Sequence, residues 1–188
     1  RQTNVGIYEF VSGEKIFLPS ENDLYQALAF LQKLLEMKTL EGADDLPLAS
    51  EACLNADDLF CQIDERRQRL KDISYRYPNL RKHIVFTIDP LCQRVRNWCE
   101  NYWPSEIEFH EDLDPEYRTL SPSDFGFHNA LRERDGTIRF LDLEYFGWDD
   151  PAKLVSDFWW HPGMQLKENL KQVWWYQGAR MFAKDRSF

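Results

Sequence analysis

Ser121–Pro151, SPSDFGFHNALRERDGTIRFLDLEYFGWDDP, gathers three polar groups, Asp124, Asn129 and Asp142, around a short hairpin signal. Asn129–Arg134 runs into Asp135-Gly136, and Thr137–Asp142 runs back. An Asp-Gly pair between two such runs predicts a two-residue type I′ turn, because both central residues need positive φ. That register sets Asn129 directly opposite Asp142, with Cβ atoms about 4.5–5.5 Å apart on one face. An amide oxygen and a carboxylate at that spacing suit one hard cation, and Mg²⁺ takes carboxylate and phosphate oxygens. Asp124, on the loop entering the hairpin, adds a carboxylate able to accept a hydroxyl proton. Phosphoryl transfer asks for little more: positioning, charge neutralisation and an oriented nucleophile.

The rest of the chain bounds what surrounds this stretch. With 188 residues, 43% of them hydrophobic, it can bury one sizeable core or two sub-lobes. A formal net charge of −9 without an extended basic run argues against nucleic acid, whose binding needs clustered Lys or Arg. Arg66-Arg67-Gln68-Arg69 reads as a solvated helix face. The four cysteines, Cys53, Cys61, Cys92 and Cys99, form no CxxC pair. Zinc is therefore not expected, and they read as reduced, mostly buried thiols of a cytosolic protein. No apolar run approaches the roughly 20 residues of a membrane span and no signal peptide is visible, so a cytoplasmic location is expected.

Taken in order, Gly6–Val11 reads as a short strand closed by Ser12-Gly13. Ser20-Glu21-Asn22-Asp23 is a capping-box start, followed by Leu24, Ala27, Leu28, Leu31, Leu34 and Leu35 at helical spacing. A loop from Lys38 to Leu48 leads to a second helix opened by Asn55, with Leu59, Ile63, Leu70 and Ile73 on its buried side. Asp89-Pro90 predicts the start of a third helix, carrying Leu91, Val95, Trp98, Cys99 and Tyr102 on one face. His110–Glu116 is an acidic loop, and Arg118–Leu120 a short strand. Beyond the central stretch, Asp150-Pro151 opens a helix ended by Pro162-Gly163, and a last helix spans about Gln165 to Ala183. The expected class is mainly α (α+β): a helical lobe with a small central β-hairpin. Trp159, Trp160, Trp174 and Trp175 read as core and helix-packing residues.

Asp124-Phe-Gly-Phe-His-Asn129 followed by Leu141-Asp-Leu-Glu-Tyr-Phe-Gly-Trp-Asp-Asp-Pro151 resembles the aminoglycoside phosphotransferase and choline kinase-like family. That family shares the protein-kinase fold, and its usual patterns are H-G-D-x4-N and I-D-[FW]-E-x-A-x-x-G-D-P. The resemblance implies Asp124 as the catalytic Asp that orients or deprotonates an acceptor hydroxyl, and Asn129 and Asp142 as Mg²⁺ ligands. Asp150 and Pro151 match the G-D-P turn, and Asp157 the Asp that braces the catalytic loop. It further implies that Ile7–Gly13 is the hinge between two lobes, with backbone near Glu9 and Val11 meeting the adenine of ATP. Residues 1–13 would then be the hinge strand of an N-terminal lobe lying before Arg1, and residues 14–188 the helical C-terminal lobe, with 121–151 as catalytic loop and metal-binding hairpin.

The match is incomplete. Pro122-Ser123 stands where the family has His-Gly, losing a His that supports the loop. The Gly-rich loop and ATP-binding Lys would also precede residue 1, so this piece alone is expected to bind ATP weakly and to be inactive by itself. The reading is thus an ATP-dependent kinase acting on a small-molecule hydroxyl, with choline-like alcohols, amino sugars and sugars all open as acceptors. The alternative is a non-catalytic kinase-like binding module. A hydrolase using paired carboxylates fits less well, since it needs no Asn opposite an Asp.

Overall fold

The computed structural model describes residues 9–102 and 109–183. The described chain is mainly helical with small antiparallel sheets, in keeping with the α+β class. In order come β1 (Glu14–Lys15), α1 (Glu21–Met37), α2 (Ala56–Ser74), α3 (Pro78–His83) and α4 (Asp89–Tyr102). Then follow β2 (Thr119–Ser121), β3 (Ala130–Arg132), β4 (Ile138–Phe140), β5 (Gly147–Asp149), α5 (Pro151–Trp160) and α6 (Glu168–Phe182). The chain divides into two compact units, one of Arg1–Glu51 with Arg118–Phe188 and one of Ala52–Tyr117. No helix among the described residues is long and apolar enough to cross a membrane.

In the first unit the sequence pattern and the packing agree. Ser20 caps α1 in a capping box: its Oγ accepts from the Asp23 N–H at 3.2 Å, and Asp23 Oδ2 accepts from the Ser20 N–H at 2.6 Å. Leu24, Ala27, Leu28, Leu31 and Leu34 are buried, as their spacing predicts. Asp150 caps α5, its Oδ1 accepting from the Ala152 N–H at 2.6 Å, and Pro151 takes the first helical position. Leu154, Val155 and Phe158 on α5 meet Leu170 and Trp174 on α6 in the same core. Phe158 and Trp174 stack at 3.7 Å between centroids, and the indole N–H donates to the Val155 carbonyl at 2.9 Å. Trp174 is thus core as expected, whereas Trp160 and Trp175 are exposed.

Among the described residues this unit holds two small sheets. One has the order β1-β3-β4; the other pairs β2 with β5. Gly147 in β5 has to be glycine, since a Cβ there would stand 2.3 Å from the Pro47 carbonyl oxygen. The strand expected over Gly6–Val11 is corrected: residues 6–8 lie outside the described residues, and 9–13 are irregular. Pairing starts only at Glu14, opposite Arg132. At Gly13 the chain already presses on β3, for a Cβ would lie 2.9 Å from the Arg132 carbonyl oxygen.

The second unit departs from its apolar periodicity. Asn55 does cap α2, accepting from the Asp58 N–H at 2.7 Å. Yet Leu59 and Ile73, expected inside, are 45% and 47% exposed, and Leu70 is exposed too. The buried face is Ala56 and Phe60, packed with Phe109. On α4 the expected stripe also points outward, with Trp98 and Tyr102 61% and 72% exposed. Of the expected stripe Cys99 is half-buried, and it shares that face with Cys92 and Arg96.

The reason is chemical: charged groups join these helices. The Arg96 guanidinium lies 4.2 Å from the Phe60 ring centroid and 3.0 Å from Asp64, while Asp89 pairs with Lys71 at 3.0 Å. Arg67, read as part of a solvated face, pairs with Asp64 at 3.0 Å. The expected helix start at Asp89-Pro90 is corrected as well. α3 runs into α4 through a π-helical segment, Ile84–Ile88, in which the Asp89 N–H reaches back to the Ile84 carbonyl. Pro90 has no N–H to give the ladder, and the wider turns before it take up the mismatch. The thiols are free, but only Cys53 is buried, and Cys61 is exposed.

Candidate functional site

A buried run, Phe125–Phe127, between the exposed Asp124 and the half-buried His128 builds the site. Phe125 and Phe127 are buried, while Asp124 between Ser123 and Phe125 stays exposed. Phe125 lies among Phe30, Phe140, Phe158 and Trp174, with ring centroids at 5.3, 4.8, 5.2 and 6.3 Å. Phe127 packs edge-on to Phe158 at 5.4 Å. Aromatic pairs at such separations add to plain area burial. The loop carrying Asp124 is therefore fastened by the two phenylalanines that follow it. Ser123 takes φ 67°, a left-handed conformation uncommon for a residue with a Cβ, immediately before the exposed carboxylate.

The Asp124 carboxylate is held from two directions. Asn129 Nδ2 donates to its Oδ2 at 3.0 Å, and to the Asp124 carbonyl at 3.0 Å. His128 Nε2 stands 2.9 Å from Oδ1, with His161 Nε2 3.4 Å from the same oxygen. The two imidazoles are stacked, 3.7 Å between centroids and 5° between planes. Burial, and then the neighbouring His128, push the His161 pKa below its ordinary value, against an opposing pull from Asp124 and Asp157. His161 gave no signal in the sequence: it follows α5 as an isolated histidine, and only the fold brings it to Asp124.

Asp124, His128 and His161 offer three ligand atoms within 4.8 Å of one another. Their geometry suits hydrogen bonding better than a shared metal ion. A metal lies near the plane of each imidazole that binds it, which two rings stacked at 3.7 Å and 5° cannot both provide. In addition, the Gly163 N–H donates to His161 Nδ1 at 3.1 Å. That leaves the proton of the neutral ring on Nε2, facing Asp124.

The expected opposition of Asn129 and Asp142 is corrected by one residue. β3 and β4 pair Ala130 with Phe140 and Arg132 with Ile138, and the Leu141 N–H donates to the Asn129 carbonyl at 2.8 Å. Asn129 thus lies across from Leu141. The loop has three residues rather than two: Glu133 and Thr137 close it, and the Gly136 N–H bonds the Glu133 carbonyl at 3.0 Å. Only Gly136 takes positive φ, at 88°. Asp135 instead turns its Oδ1 onto the Thr137 N–H at 2.9 Å. This is a type I turn followed by a left-handed Gly, the other common way to close an Asp-Gly hairpin.

The hairpin is pinned to α1. Gln26 donates to the Gly136 carbonyl and accepts from the Ile138 N–H, each at 2.9 Å, and Arg132 forks onto the buried Asp23.

Asp142 itself takes φ 62°, which breaks the alternation that would have sent its side chain to the opposite face from Asn129. It is exposed, and it makes no hydrogen bond to Asp124 or Asn129. Its charge does reach Tyr145: Glu144 first, by hydrogen bond and charge, then Asp142 and Asp124, push that phenol above its ordinary pKa. Asp157, expected to brace the Asp124 loop, gives its carboxylate to Lys153 at 2.6 Å. Glu9 and Val11 fall in the irregular chain before β1, the first exposed and the second half-buried. In the acidic loop, Asp112 accepts from Asn55 at 2.7 Å, and His110 pairs with Asp57.

Comparison with protein-family models, with curated proteins and with solved structures gives no match for this chain.

Proposed function

We propose that this chain is the acceptor- and metal-binding part of an ATP-dependent phosphotransferase acting on a hydroxyl of a small molecule, in a kinase-like helical lobe. The observation that carries the reading is Asp124: an exposed carboxylate on a loop anchored by buried aromatics, held at 3.0 Å by Asn129 and at 2.9 Å by His128. A general base needs both reach and a fixed orientation. Asp124 has both.

In this reading Asp124 accepts the proton of the acceptor hydroxyl as its oxygen attacks the γ-phosphorus. With the Asn129 amide nitrogen committed to Asp124, its amide oxygen is left for a cation, and Asp142 carries an exposed carboxylate. Those two oxygens are the donors that would hold Mg²⁺, which when bound neutralises phosphate charge. Backbone near Glu9 and Val11 would meet adenine. The acidic surroundings, with Asp142 and Glu144 near Tyr145, favour an amino-bearing acceptor over an anionic one.

The test is phosphate transfer from ATP to a panel of choline-like, amino-sugar and sugar acceptors by the full-length protein, with and without Mg²⁺. Asp124→Ala and Asp142→Ala are each expected to lower kcat by about 10³-fold or more, the scale of losing a residue that acts on the transferred group. Full activity in both variants refutes the reading. Pro122-Ser123 in place of His-Gly motivates the second reading, a binding module. Mg²⁺-dependent nucleotide binding without turnover would establish it.

A further inference from the structure

Proton-handling and base-orienting histidines are normally fixed through their second ring nitrogen, by a carbonyl or carboxylate that sets tautomer and tilt. Among the described residues His128 has no such fastening: its Nδ1 is buried and meets no hydrogen-bond partner there. The backbone beside it leaves little room, since a Cβ on Gly126 would stand 2.7 Å from that nitrogen. What fixes the ring is the parallel face of His161, 3.7 Å away between centroids. His161 in turn is fastened at Nδ1 by the Gly163 N–H at 3.1 Å. An anchoring sequence follows: Gly163 backbone, His161 ring, His128 ring, Asp124 Oδ1.

We propose that His161 is a positioning residue for Asp124, acting through its stacked ring on His128 rather than through its own Nε2, which is farther from Oδ1 than that of His128. The inference rests on the reading of Asp124 as the base and assigns its two oxygens different work. Oδ1 is occupied by the His128 Nε2–H at 2.9 Å, with His161 Nε2 closing in at 3.4 Å. Among the described residues Oδ2 receives only the Asn129 amide, at 3.0 Å. A carboxylate oxygen accepts about two hydrogen bonds, so Oδ2 keeps an open lone pair. Oδ2 is the atom that takes the acceptor proton. The arrangement also replaces the loop-supporting histidine displaced by Pro122-Ser123, using a ring from beyond α5.

Two substitutions separate ring from hydrogen bond. His161→Phe keeps a flat ring on His128 and removes both nitrogens, whereas His161→Gln keeps an N–H donor and removes the ring. With the full-length protein, His161→Ala and His161→Gln are each expected to lower kcat by about 10-fold or more with KM unchanged, and His161→Phe to stay within about 3-fold of the parent. Equal loss in His161→Phe and His161→Ala, or no loss in His161→Ala, overturns the proposal. A second readout does not depend on the reaction. The His128 ring protons, shifted upfield by the neighbouring ring in NMR spectra, should keep that shift in His161→Phe and lose it in His161→Ala. An unchanged shift in His161→Ala overturns the stacking role. Absence of phosphate transfer by the parent, with the NMR pattern as expected, refutes the kinase reading and leaves the ring anchoring of Asp124 in place.

Discussion

The two units use the same helical vocabulary with opposite results. In the first, leucines, phenylalanines and Trp174 at helical spacing turn inward, and one core runs from α1 through the Asp124 loop to α6. In the second, Leu59, Ile73, Val95 and Trp98 at equally regular spacing face outward, and the buried cluster among the described residues is Ala56, Phe60 and Phe109. The difference teaches what apolar periodicity measures. It identifies a helix and an apolar stripe, but the stripe is buried only where it outcompetes other groups for the inner face. In the second unit Arg96, Asp64, Arg67 and Asp89 take that face as ion pairs.

Cutting a large side chain from each unit should break this contrast most sharply if it is wrong. Trp174→Ala is expected to cost about 3–5 kcal/mol, as a large-to-small change in a packed core. Trp98→Ala should change stability by no more than about 0.5 kcal/mol, as an exposed substitution. Urea midpoints of the full-length protein check both, and a comparable loss for Trp98→Ala would show its stripe to be covered.

The next effect concerns the half-buried charge pair, Arg132 with buried Asp23, joining α1 to the hairpin. Burial raises the Asp23 pKa, but hydrogen bonds from Arg132 and Ser20 outweigh it, and the net shift is downward from 3.8. A carboxylate depressed in the folded state adds stability that is fully present above its unfolded value and disappears as pH falls through the folded one. Arg132→Ala should therefore cost about 2 kcal/mol at pH 7, the scale of a hydrogen bond to a charged group. Much less should be lost well below pH 3.8. Equal losses at pH 7 and pH 2.5 would show that packing, not the pair, is responsible.

The smallest expected effect is where the units should agree. Ser20→Ala and Asn55→Ala each remove a helix N-cap and should each cost about 1 kcal/mol, measured by the same midpoints. A clear inequality would mean that one helix relies on its cap because its packing is poorer.

What could be read from residues alone follows the same division. Local chemistry was legible: the capping box at Ser20-Asp23, the cap at Asn55, the Asp150-Pro151 helix start and the existence of the hairpin are all set within a few residues. The α+β class followed from these. Which face of α2 and α4 is buried was not legible, because it is decided by partners distant in sequence. The hairpin register failed for a subtler reason. Asp135 chose a side-chain bond to Thr137 over a left-handed backbone, and one extra loop residue moved every cross-strand pair. Asp124 and Asn129 were found by their spacing, and the structure brings them together. Asp142 takes a left-handed conformation outside the strand pairing, and what it shares with Asp124 is the effect of its charge on Tyr145. His161 depended wholly on tertiary placement.

The π-helical segment at Ile84–Ile88 carries a further consequence for chain length. A wider turn is a helix holding one surplus residue, so the segment is a place where length can change without the rod breaking. Removing a single residue there would restore ordinary turns, and because the wide turn had absorbed that residue, α4 would keep its facing up to Tyr102. A protein one residue shorter at this point would keep an unbroken helix and show its neighbours the same side chains. The same deletion within α4 would instead turn the rest of the helix by about 100°, the angle one residue subtends in an α-helix.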